Sequence, residues 1–82
     1  MSVKIERIAS MLEKEISYIL MTEVKDPDIK FVTVTNVKLA SDLGYAKVYV
    51  TVLDQNKKDE TLRSLKAARG FIRRELANRV EI

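Results

Sequence analysis

The chain has 82 residues and a net charge of +3, with 46% apolar and 33% charged side chains. That is one small domain with enough apolar material for a core, which argues against disorder. It contains no cysteine and no histidine, so disulfides, thiolate metal sites, cysteine nucleophiles and imidazole general bases are excluded.

From Val3 to Thr22 the apolar residues Ile5, Ile8, Ala9, Leu12, Ile16 and Ile19 recur every three or four positions. This spacing predicts one amphipathic helix. Ser2 is placed to cap it. Asp26-Pro27 stops it near Val24, because proline disfavours helical geometry in the residue before it and has no N–H to donate. No apolar run is long enough to span a membrane, and the alternating N-terminus is no secretory signal.

Residues 31–39, FVTVTNVKL, are rich in β-branched types and free of Gly and Pro, so they read as a strand. Ala40-Ser41-Asp42-Leu43-Gly44 has the composition of a hairpin loop. Residues 45–53, YAKVYVTVL, form the partner strand. Ala46, Val48, Val50 and Val52 share the face expected to meet the helices. Tyr45, Lys47, Tyr49, Thr51 and Leu53 share the more solvated face. Phe31 and Phe71 are expected in the core.

A polar break at 54–58 offers Asp54 or Asn56 as a cap, with Asp59 and Glu60 suited to a helix N-terminal dipole. Helical spacing then runs to Arg79, with Leu62, Leu65, Ala68, Ile72 and Leu76 as the apolar stripe. Gly70 interrupts it. A glycine in a helix interior costs about 1 kcal/mol relative to alanine, so two helices meeting near Ala68-Arg69-Gly70 are expected. The order α-β-β-α-α gives an α+β fold with helices on one face of the sheet.

Charge is unevenly spread. Residues 1–60 hold nine basic and ten acidic side chains, whereas residues 61–80 hold six basic and one acidic. Such a concentration is the footprint of a polyanion partner, although a solvated helix face can be basic as well. Arg63, Lys66, Arg69, Arg73 and Arg74 surround Gly70, whose missing Cβ would let a nucleic-acid backbone come close. A helix start there would add free N–H donors. Lys47, between Tyr45 and Tyr49, is a lesser candidate on the sheet, where aromatics can stack bases. Asp26 and Asp28 flank a proline but lack companions for a cation site. No Gly-rich phosphate cradle and no catalytic constellation is present, so the chain is expected to be no enzyme and to need no cofactor or metal.

Four segments carry a resemblance: EVKDP at 23–27, FVTVTNVKL at 31–39, DLGYAKVYVTVL at 42–53 and KAARGFIRREL at 66–76. With RIASMLEKEISYIL in the first helix, they make the whole chain, residues 1–82, resemble the ribosome-binding factor A family. The resemblance implies a type II KH-like fold, α-β-β-α-α-β, in which an Ala-x-Gly kink replaces the phosphate-clamping loop of other KH domains. Ala68-Arg69-Gly70 matches that kink. It also implies a cytoplasmic, monomeric, non-catalytic assembly factor. Such a factor binds the small (30S) ribosomal subunit and its 16S rRNA, aids late maturation and 5′-end processing, and is linked to cold adaptation. Other assembly factors, GTPases among them, are its expected companions. Two departures stand out. Asp28-Ile29-Lys30 shifts the charge before Phe31, and the family's final strand is not supplied by Val80-Glu81-Ile82, as in a C-terminally shortened chain. The alternative reading is a protein-interaction module using the sheet face or an open strand edge. A hydrolase acting on RNA would need a base or metal that the sequence lacks.

Overall fold

The structure is a computed structural model and describes residues 3–29, 31–42 and 44–80. The proposed cap Ser2, together with Lys30, Leu43 and the terminal Glu81 and Ile82, lies outside the described residues. Helix α1 spans Val3–Thr22, strand β1 Val32–Leu39, strand β2 Ala46–Val52 and helix α2 Lys58–Arg79. Short 3-10 turns at Pro27–Ile29 and Gln55–Lys57 join helix to strand and strand to helix. This is an α+β arrangement, with helices covering one face of a two-stranded antiparallel sheet.

Helix α1 forms for the expected reason. Its stripe buries Ile8, Leu12, Ile16, Ile19 and Leu20, and each fully buried aliphatic contributes about 1.5–3 kcal/mol. The helix ends at Thr22, where the Glu23 and Val24 amides both donate to the Ile19 carbonyl. The chain then turns through Pro27–Ile29, and the Ile29 amide donates to the Asp26 carbonyl. Ile29 is almost completely buried and plugs the core from this turn.

Strand β1 carries a feature absent from the expected alternation. Val34 pairs with Val50 and Asn36 with Tyr49, so Thr35 is an extra residue in β1. Such a bulge shifts the side-chain phase by one position. Val34 and Val37 are therefore both buried, while Thr35 and Asn36 between them are both exposed. The Thr35 hydroxyl donates to the Tyr49 carbonyl (3.2 Å), and the Asn36 Oδ1 accepts from the Val37 amide (2.9 Å). At the hairpin, the Ala40 amide donates to the Tyr45 carbonyl, and the Asp42 carboxylate accepts from the Gly44 amide.

The expected valine face of β2 is only half covered. Val52 is buried and Val50 partly so, but Val48 is 39% exposed and Ala46 is exposed as well. The reason lies in the packing: α1 lies over β1, so the hairpin end of β2 extends past the helices. The two phenylalanines are also not core residues. Phe31 is 61% exposed, opposite Leu53 at the open end of the ladder. Phe71 is 37% exposed, one position off the packed stripe of α2.

The expected division of the C-terminal helical region is corrected by the structure. Helix α2 runs unbroken through Gly70. The glycine penalty is small against the contacts of a 22-residue helix whose Leu65, Ala68, Ile72 and Leu76 pack on the core. The expected cap is displaced: the Asp54 carboxylate accepts from the Asn56 amide (3.0 Å) and caps the 3-10 turn Gln55–Lys57, while α2 itself follows Lys57 with no side-chain cap. Asp59 and Glu60 occupy its first turn, where negative charge complements the dipole.

Candidate nucleic-acid interface

Helix α2 positions most of the candidate residues. Successive residues of an α-helix are rotated by roughly 100°, so Arg63, Lys66, Arg69, Arg73 and Arg74 fall within an arc of roughly 140°. Gly70 lies inside that arc. All five cations are exposed, and none forms an ion pair with a described residue. The packed stripe of Leu65, Ile72 and Leu76 faces the core and holds the helix rigid beneath them. The result is a firm cationic surface without internal counter-charges.

The sixth base of this segment behaves differently. Arg79 sits 3.2 Å from Glu23 and 3.5 Å from Glu75, and its guanidinium lies 5.2 Å from the Tyr18 ring centroid. It ties the end of α2 to the end of α1. Five of the six cations thus carry no ion pair with a described residue, and one is used within the fold.

The structure separates two candidates from this group. Ala68 lies on the packed side of α2, against the core. Two positions along a helix turn the side chain by roughly 200°, which puts Ala68 and Gly70 on nearly opposite sides. Only in a kinked pair of helices could both line one approach path. At Gly70 an added Cβ would meet nothing within 4 Å, so packing does not require a glycine there. Because α2 is continuous, the amides around Gly70 are engaged within the helix, and no free N–H donors arise at this point. The remaining contributions of the segment are cationic charge and an uncrowded backbone.

Lys47 belongs to the sheet. It stands opposite Lys38 in the ladder, and both ammonium groups lie over the Tyr49 ring, at 5.5 and 5.8 Å from its centroid. Lys38 was not singled out from the sequence, since the phase shift at Thr35 decides its direction. The signal was present as a change of rhythm, from Val32 and Val34 to Val37 and Leu39.

Among the described residues no three His, Cys, Asp or Glu side chains gather as metal ligands. No helix of the described chain is long and apolar enough to cross a membrane.

Comparison with known proteins matches this chain to a family. The family model described as "Ribosome-binding factor A" matches residues 4–82. Ribosome-binding factor A of Chromohalobacter salexigens is 42% identical over 80 residues, covering 94% of this chain and 61% of that protein. The Desulfitobacterium hafniense protein of the same name is 51% identical over 77 residues, covering 93% of this chain and 62% of that protein. The chain therefore spans about three fifths of the length of these relatives. The crystal structure of ribosome-binding factor A from Thermus thermophilus superposes with a TM-score of 0.86 at 24% identity, over 95% of this chain and 83% of that one. That likeness concerns the fold. Matched by the family model over nearly its whole length, and by relatives sharing up to half its residues, the chain belongs to the ribosome-binding factor A family.

Proposed function

We propose that this chain is the RNA-binding part of a ribosome assembly factor that binds the small (30S) subunit through its 16S rRNA. It acts by holding a conformation of the RNA and catalyses no reaction. The observation that carries the reading is the exposed arc of Arg63, Lys66, Arg69, Arg73 and Arg74, unpaired among the described residues and mounted on a rigid helix. Cations on a firm scaffold bind phosphates by releasing condensed counterions. Gly70 leaves room for a phosphate backbone between them. Family membership supports the same reading, as does the name that the relatives carry. The finer assignments belong to this proposal: a KH-like mode of binding, late maturation and 5′-end processing of the rRNA, a role in the cold, a cytoplasmic monomer, and cooperation with other factors including GTPases.

The test is binding of the chain to purified small subunits, immature and mature, across a salt series. Log affinity should fall steeply with log salt. Each phosphate contact removed by an Arg→Gln or Lys→Gln change on α2 should make the slope shallower by about 0.7–0.9. A variant neutralised at all five positions, still folded, that kept both affinity and slope would refute the assignment.

A further inference from the structure

The strands carry a second cationic surface that α2 does not reach. Residues 31–39 and 45–53 contain no acidic side chain. Lys38 and Lys47 nevertheless stand directly opposite one another in the ladder. Like charges in that position are destabilising. Neither lysine forms an ion pair with a described residue. Their ammonium groups instead share one aromatic ring, that of Tyr49, a weakly favourable contact at an exposed site. Tyr45, which immediately precedes β2, is 69% exposed, and Tyr49 is 37% exposed. Along the strand the order is aromatic, cation, aromatic, with the second cation across the ladder. Tyr45 and Tyr49 are separated by about 14 Å at a rise of about 3.4 Å per residue.

From this juxtaposition we infer that the sheet face of Lys38, Lys47, Tyr45 and Tyr49 is a second RNA contact, taking a single-stranded segment by stacking and phosphate pairing. The lysine pair supplies the charge complementarity. A phosphate between the two ammonium groups replaces their mutual repulsion with attraction to both. A base stacked on Tyr49 takes the place that one lysine holds over the ring, while the other lysine stays with the backbone. Stacking on aromatics tolerates any base, so the surface selects unpaired RNA more than sequence. The inference rests on the RNA-binding reading above but concerns a different surface. An RNA engaged on both α2 and the sheet would be held from two sides of the domain.

The experiment uses a fluorescein-labelled, unstructured oligoribonucleotide, with fluorescence anisotropy read across a salt series. Variants are Tyr49→Leu, Tyr49→Phe, the pair Lys38→Gln with Lys47→Gln, and the five-fold α2 neutralisation. Far-UV circular dichroism confirms that each is folded. Tyr49→Leu is expected to weaken binding roughly fivefold to a hundredfold with little change in salt slope, and Tyr49→Phe to retain affinity. The lysine pair is expected to make the slope shallower by about 1.4, two single-strand contacts. If these changes have no effect while the α2 variant loses all binding, the inference is overturned and the function proposed above survives. If the sheet variants weaken binding and the α2 variant does not, the sheet surface stands and the assignment of α2 falls. If the sheet variants lose subunit binding but keep affinity for naked RNA, the face docks protein and the inference is wrong. Absence of any RNA binding by the unaltered chain overturns both.

Discussion

Gly70→Ala separates what helix α2 needs from what a partner needs. The helix is continuous through Gly70, and a Cβ there would touch nothing within 4 Å. The substitution therefore carries no steric cost in the free protein. It removes the conformational freedom that makes glycine unfavourable in a helix interior, a gain of about 0.5–1 kcal/mol. For a domain of this size each kcal/mol raises Tm by about 4–8 °C, so the expected shift is a few degrees upward. Urea and thermal unfolding followed by circular dichroism measure it, with Ala67→Gly on the same exposed side expected to show a loss of similar size. If the open space over Gly70 admits an RNA backbone, the same methyl group lowers affinity for small subunits while raising stability. A stabilised variant with unchanged affinity would remove Gly70 from the interface. A destabilised variant would refute the argument at its root, since it would mean that the backbone at 70 is not that of a regular helix.

The remaining predictions concern the frame. Arg79→Gln should cost only about 0.5–1 kcal/mol of stability, because its ion pairs are partly exposed. It should leave the salt slope of RNA binding unchanged, since this cation is turned inward to Glu23, Glu75 and Tyr18; a reduced slope would place it on the interface. Ile19→Ala empties the most deeply buried position of α1 and should cost about 3 kcal/mol, lowering Tm by about 15 °C. A loss below about 1 kcal/mol in chemical unfolding would show that the core closes around the vacancy.

Helix α1 and both strands were legible in the sequence because each has a clean periodicity and a strong terminator. Asp26-Pro27 ends one element, and the Ser41–Gly44 stretch separates the two strands. The unbroken α2 was not legible, because a single glycine weighs heavily in local propensity and lightly against packing on the core. The periodicity did set Ala68 on the apolar stripe, where it packs, and it would join Gly70 on one approach path only if the chain bent between them. Ile29 escaped notice since a 3-10 turn has no period to betray an inward residue. Phe31 and Phe71 were expected in the core on residue type alone, whereas position decides. One lies at the open end of the ladder, the other a single step off the stripe. The five cations of α2 were legible as a group from composition. That Arg79 stands apart from them could be learned only from where Glu23 and Tyr18 lie in space.

The extra residue at Thr35 makes β1 two half-strands of opposite phase. Were the same residues paired with Thr35 in the ladder and no bulge, regular alternation from Val34 would turn Lys38 beneath α1 and expose Val37 and Leu39. With the bulge, the aliphatic residues at both ends of the strand anchor the helix, and the far end also displays charge outward, level with Lys47. The bulge thus lets the strand hold an extra residue and still keep its aliphatic residues on the helix and its lysine outward. Flattening the bulge with Thr35 kept in the strand would exchange an aliphatic anchor for a lysine and turn the cationic side of the hairpin inward, whereas deleting Thr35 would leave both halves facing as they do.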